Sequence, residues 1–183
     1  MIDADVLREA CGGLSGIDDD TLESVGAMAL EYAEQYTGRK LEYGEYTEDI
    51  AMSCNTVLVR AWPVDGIKSV TVDGNTVDVD KLCIDAALGV ITLPISGDMC
   101  RIEYAGGFKE LPQPVACACG MLAAAIVQAA ENAGQQITYQ ILDGYAVTYA
   151  SKSASGDALE MLSPVAAIML KPYRARQTMR VIR

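Results

Sequence analysis

The chain predicts an α+β fold: a helical core whose sequence is interrupted by a small antiparallel β-rich insertion. Three observations carry this. Apolar residues recur at three- and four-residue spacing before residue 37 and again after residue 112. Between Thr47 and Tyr104 the period changes to two. Glycine, proline or clustered acids stand at each change of pattern. A chain of 183 residues is long enough for one domain with its own core, burying roughly 70% of its unfolded surface. The expected organisation is a single domain over 1–183, with helices at about 3–11, 19–37, 112–133 and 157–170, the insertion at about 47–108, and a basic tail at 171–183.

Asp3 to about Cys11 reads as a short helix stopped by Gly12-Gly13. Asp18, Asp19 and Asp20 then supply an N-cap and first-turn acids that suit the helix dipole. The following helix carries an apolar stripe of Leu22, Val25, Met28 or Ala29, Tyr32 and Tyr36, and Gly38 is its left-handed C-cap. In the insertion Val57, Val59 and Ala61 alternate with outward positions until Pro63. Ile67, Val70 and Val72 lead to a hairpin turn at Asp73-Gly74-Asn75, and Val77 and Val79 return from it. Leu82-Cys83-Ile84, Gly89 to Leu93 and Met99 to Tyr104 complete the strands of one small antiparallel sheet.

Pro112 and Pro114 fit the first turn of a helix, where a missing N–H costs little. That helix carries no charge from Pro112 to Ala130, is rich in alanine, and is apolar on nearly every face, so it is expected to be surrounded by its own domain or by a neighbouring copy. Its most apolar run, Val115 to Val127, falls short of the ~20 residues of a membrane span, and no membrane partner is expected. Ile137 to Ala150 is extended again, with a turn at Asp143-Gly144, either as an ordinary hairpin or as an edge for the next subunit. In the last helix Ser163-Pro164 is either a kink or a fresh start, and Pro172 ends it.

Charge is segregated. The formal net charge is −11 overall, residues 1–50 carry thirteen acids and three bases, and residues 171–183 carry five bases and no acid. An acidic body disfavours binding to the outside of DNA, which runs on counterion release by Lys and Arg. The six cysteines lack CxxC spacing and sit in apolar patterns, so they read as free, mostly buried thiols of a reducing cytoplasm; no secretory signal is expected from Met-Ile-Asp-Ala-Asp. The chain has no histidine, which removes the usual acid–base, triad and zinc arrangements. No Gly-rich loop with Lys-Ser/Thr is present to cradle phosphate. No enzymatic activity and no cofactor or metal are expected.

The order of these signals resembles the head–tail connector family of tailed bacteriophages, also called adaptor or head-completion proteins. The matching pieces are Tyr36-Thr37-Gly38-Arg39, Arg60-Ala61-Trp62-Pro63-Val64 with Ile67 to Val70, Gly89 to Leu93, and Ile102 to Phe108 with Leu111-Pro112. Gly144 to Tyr149 and Leu170-Lys171-Pro172-Tyr173-Arg174 complete them, so that the likeness spans about residues 15–176. The resemblance implies a ring of identical copies under the portal, matching its twelve-fold symmetry. Such a ring lengthens the DNA exit channel without sequence-specific binding and offers a platform to a stopper or tail-completion protein. The location implied is the neck of the virion, with synthesis in the host cytoplasm. The family's C-terminal end reaches to the portal, which carries a portal-binding role onto Lys171, Tyr173, Arg174, Arg176 and Arg180.

Each functional reading has a plainer rival. The basic tail is a solvated terminus, a segment that orders on the portal, or a DNA contact, the last disfavoured by how few phosphates five cations can neutralise. Trp62 is a core anchor or a partner hot spot, and the apolar helix is plain core or a subunit interface. The rival assignments of the whole chain are another neck protein, a stopper or tail-completion protein, or an enzyme with a carboxylate metal site.

Overall fold

The computed structural model describes residues 4–10, 14, 16–131, 140–142, 145–147 and 163–175. By its internal contacts the chain divides into two units: Ile2–Tyr36 with Pro114–Lys171, and Thr37–Gln113 with Pro172–Arg183. The α+β class expected from the sequence is the one found, with the β-rich unit set between helices in chain order.

In the helical unit α1 covers Ala4–Ala10 and α2 covers Asp19–Thr37. Asp18 caps α2, its carboxylate accepting from the Thr21 amide at 2.8 Å. Leu22, Val25, Ala29, Leu30, Ala33 and Tyr36 form the buried stripe. The two positions that sequence spacing left open or assigned inward resolve differently: Ala29 faces in, and Met28 and Tyr32 are exposed. The reason is the close approach of α1 at Gly26, where an added Cβ would lie 2.6 Å from Leu7 Cδ1. A small-residue path through Gly26, Ala29 and Ala33 lets a neighbour come near, and a Met or Tyr would hold it off.

Helix α3 spans Gln113–Glu131. Val115, Ala118, Cys119, Leu122 and Ala123 are buried, at helical spacing. Cys117, Met121 and Ala124 to Val127 are half-buried, and Gln128 to Ala130 are exposed. Burial within the chain is thus one-sided, so of the two expected arrangements the chain's own fold does not supply the one that surrounds the helix; an alanine-rich helix offers no polar face to mark which side is out. Counted beyond the run Val115 to Val127 that the sequence reading found too short, its stretch Gln113–Ala130, with mean hydropathy 1.5, is long and apolar enough by length and composition to cross a membrane, a test that a core helix also passes. Cys119 is pushed up to about 12 by burial, with Glu34 of α2 adding to the effect. Helix α4, Pro164–Leu170, is a fresh start, not a kink: Ser163 caps it by accepting from the Ala166 amide. Residues 157–162 of the expected last helix lie outside the described residues, as does most of the extended segment 137–150. The described parts of that segment, β8 (Gln140–Leu142) and β9 (Tyr145–Val147), pair antiparallel.

The β-rich unit holds two sheets where the sequence suggested one. Strands β1 (Gly44–Ala51), β7 (Met99–Gly106), β3 (Val64–Val72) and β4 (Asn75–Thr76) lie in the order β1-β7-β3-β4. Strands β2 (Thr56–Leu58), β6 (Val90–Thr92) and β5 (Cys83–Asp85) lie in the order β2-β6-β5. One apolar cluster joins both sheets: Val57 and Ile91 from the second, with Val59 just past β2, meet Val70, Val72, Cys100, Ile102 and Tyr104 from the first. The split follows from burial on a period of two. Two short sheets can each turn one apolar face to a shared core, and a single sheet of this size leaves that face wet. The β3–β4 hairpin turns at Asp73 (φ 49°) and Gly74 (φ 81°), the two left-handed residues of a tight I′ turn. The Asp73 carboxylate also accepts from the Asp98 and Met99 amides at 3.1 and 2.9 Å, tying this turn to the start of β7.

The five described cysteines are free thiols. Only Cys100 and Cys119 are buried, Cys117 is intermediate, and Cys54 and Cys83 are exposed, against the expectation of mostly buried thiols. Cys54 and Cys83 lie at the rim of the smaller sheet, where neighbouring apolar residues in sequence do not imply an inward position.

Candidate functional site

Four segments that stand apart in sequence converge on Arg39 within the β-rich unit. Gly38, at φ 69°, ends α2 in the left-handed conformation and turns the chain so that Arg39 points inward. Lys40 then bridges to Ala61 and Glu42 to Phe108 in parallel pairings, which sets Arg39 beside Trp62 and Phe108. The guanidinium carbon lies 3.2 Å from the Trp62 ring centroid and 4.8 Å from that of Phe108. These are cation–π distances in a largely dry setting. Arg39 is only 2% exposed, and burial lowers its pKa to about 10, with Tyr173 acting in the opposite direction.

The backbone around the stack admits no side chain at two points. A Cβ on Gly106 would lie 2.4 Å from the Ala61 carbonyl oxygen, and one on Gly107, at φ 97°, would lie 2.1 Å from that of Glu42. The Gly106-Gly107 pair therefore lets the end of β7 pass between the Ala61–Pro63 and Glu42 backbones and deliver Phe108. Nearby, the Tyr104 hydroxyl donates to Glu48 and accepts from the Ala61 amide, and Glu48 accepts from the Arg60 amide at 3.1 Å. Burial and the Glu48 carboxylate both raise the Tyr104 hydroxyl above its ordinary range, so it stays protonated as a tie between β1, β7 and the segment leading to Trp62.

The C-terminal arm begins on this stack. Lys171, Pro172 and Tyr173 form one 3₁₀ turn. Tyr173 meets Phe108 edge-on, with ring centroids 6.1 Å apart and planes at 81°. The Ala175 amide donates to the Thr37 carbonyl at 2.6 Å. Of the residues given a portal-binding role by resemblance, Lys171 and Arg174 are exposed and Tyr173 is half-buried. Arg176 and Arg180 lie outside the described residues. Tyr173 is therefore already engaged within the chain, and Lys171 and Arg174 are exposed beside it in sequence.

Phe108 also lines an open cleft of about 220 Å³ with Tyr43, Pro63, Val64, Asp65, Gly107 and Lys109. Tyr43 donates to Asp65 at 2.8 Å and Lys109 does so at 3.0 Å. Lys109 and Tyr43 hold the Asp65 carboxyl below its usual range, but all three are solvent-exposed and such pairs stabilise little. Among the described residues no group of three or more His, Cys, Asp or Glu is placed to hold a metal ion.

Sequence reading missed Arg39, Trp62 and Phe108 as one unit. Each fell within a motif of the family resemblance, yet nothing in residue spacing marks Arg39 as buried; an arginine after a helix C-cap ordinarily reads as a solvated last-turn cation.

No family model matches the chain, and no curated protein matches it. Solved structures do. A chain in the neck of the empty GTA particle, computed with C6 symmetry, superposes with a TM-score of 0.59 at 19% identity, over 98% of this chain and 92% of that one. A chain in the neck of the native GTA particle, computed with C12 symmetry, gives 0.57 at 18% identity, over 98% and 94%. The agreement is one of fold, and it covers the helical and β-rich units together: this chain is built like a neck chain of the gene transfer agent, a phage-like particle.

Proposed function

We propose that the protein is a structural subunit of the neck of a phage-type particle, forming with identical copies a ring between portal and tail. The observation that carries the reading is the shared fold over 98% of the chain with chains from particle necks. It acts by shape. The ring extends the DNA channel and gives a stopper or tail-completion protein its platform. Twelve copies fit the C12 symmetry of the native GTA neck. A head-to-tail ring needs two different complementary patches on each copy, and the segregated charge supplies unlike ends. The net charge of −11 suits a conduit that DNA passes without sticking.

The arm is the portal contact in this reading. Lys171 and Arg174 are exposed beside a stacked Tyr173, and Arg176 and Arg180 continue the basic run. Retention of the chain on immobilised portal rings tests it. Truncation after Ala175 keeps the Tyr173–Phe108 contact and the Ala175–Thr37 bond, so the melting profile should hold while retention falls at least tenfold. Equal retention of full and truncated chains removes the arm from the portal contact.

A further inference from the structure

The Arg39 guanidinium is buried with both terminal nitrogens, Nη1 and Nη2, lacking a hydrogen-bond partner. Its Nε makes one long contact, 3.5 Å, to the Lys40 carbonyl. An ionised group taken out of water is ordinarily paired or fully hydrogen-bonded, because its desolvation is otherwise uncompensated. Stacking on Trp62 offsets part of that cost but uses only the face of the cation. At 3.2 Å from the ring centroid the two planes lie nearly parallel, since a tilt would drive a nitrogen into the indole. The unused donors therefore lie along the guanidinium edge, in its own plane, and are themselves buried. That edge is the fork that accepts a carboxylate through two parallel bonds. A phosphate can engage the same two donors, and comparison of the two anions decides between them.

We propose that Arg39 is a receptor for a carboxylate side chain of a partner protein, and that Tyr173 is its cover. Tyr173 lies edge-on to Phe108, and beside it the Ala175 amide donates to the Thr37 carbonyl. Lys171 and Arg174, exposed on either side of it, draw an acidic surface to this spot. When the arm leaves the stack for that surface, an acidic side chain takes the vacated edge of Arg39. The naming of the partner rests on the neck reading; the site and its chemistry do not.

The test uses the full chain and no partner. Trp62 is the chain's single tryptophan, so its emission reports the ring under Arg39. Wild type and Tyr173→Ala are titrated at pH 7 with sodium acetate, against sodium chloride at matched ionic strength. Tyr173→Ala should show a saturable acetate response at least tenfold tighter than wild type, and Arg39→Lys in the same background should lose it, an ammonium having no fork. Equal responses to acetate and chloride, a response that survives Arg39→Lys, or saturation by phosphate in preference to acetate would overturn the proposal. Should Tyr173→Ala fail to fold, the melting temperature of wild type decides: acetate must raise it above the chloride control, and Arg39→Lys must abolish the rise. With no portal present, a negative result here leaves the neck reading to its own test.

Discussion

Gly107 sits at φ 97°, and its missing Cβ would lie 2.1 Å from a backbone oxygen that cannot rotate away. Gly107→Ala therefore meets both a disfavoured backbone conformation and a clash, and should cost about 3 kcal/mol or more. Urea denaturation reads this as a lowered midpoint at constant slope; an unchanged midpoint would show that β7 passes the Glu42 backbone more loosely. The thiols divide as cleanly. Cys54 and Cys83 are exposed and should alkylate within minutes at neutral pH, whereas Cys100 and Cys119 are buried and have raised pKa values, so they should react only on unfolding. Peptide mass mapping of the alkylated sites distinguishes the pairs. Because the folded pKa of Cys119 is raised, to about 12, its contribution to stability is fully present below the ordinary thiol pKa and is lost as pH rises through about 12.

Helix α3 is where composition and structure part most. Ala123 is fully buried and Ala124 only half-buried, although the two look alike in sequence. Ala123→Glu buries an unpaired charge and should cost at least about 4 kcal/mol, while Ala124→Glu can reach solvent and should cost about 1–2. Thermal melts of the two variants check this, and equal losses would mean that α3 is surrounded on both sides. The turn at Asp73-Gly74 and the strands around Val57, Val70, Ile91 and Ile102 were legible because alternation and turn residues are local signals. But β1 was not marked, and Val79, expected in the strand returning from the hairpin, stands in a 3₁₀ turn, Val79–Lys81. The two-sheet arrangement was not legible either, since β1 pairs with β7 across the whole insertion, Gly44 opposite Gly106, and no local pattern names a partner that distant. Met28 and Ala29 show the same limit within a helix: spacing admits either, and the close approach of Leu7 to Gly26 decides.

The whole chain passes between its two units near Thr37, Gln113 and Lys171, and three of the motifs that carried the family resemblance lie at these passages. Their recurrence makes physical sense. The Gly38 turn places Arg39, the Gly106-Gly107 pair places Phe108, and the Lys171–Tyr173 turn lays Tyr173 against that ring. The candidate site was thus present in the sequence as separate words. What joined them was the parallel pairing of Lys40 with Ala61 and Glu42 with Phe108, which links positions far apart in sequence through isolated bridges. Within this fold the arm residues Lys171 and Arg174 are exposed. The measurement that bears most directly on the neck assignment is the native mass of the chain, alone and mixed with its cognate portal ring. The account predicts that portal and chain together give a complex heavier than the portal by a full ring of copies. A chain that stays monomeric and leaves the portal mass unchanged would contradict it.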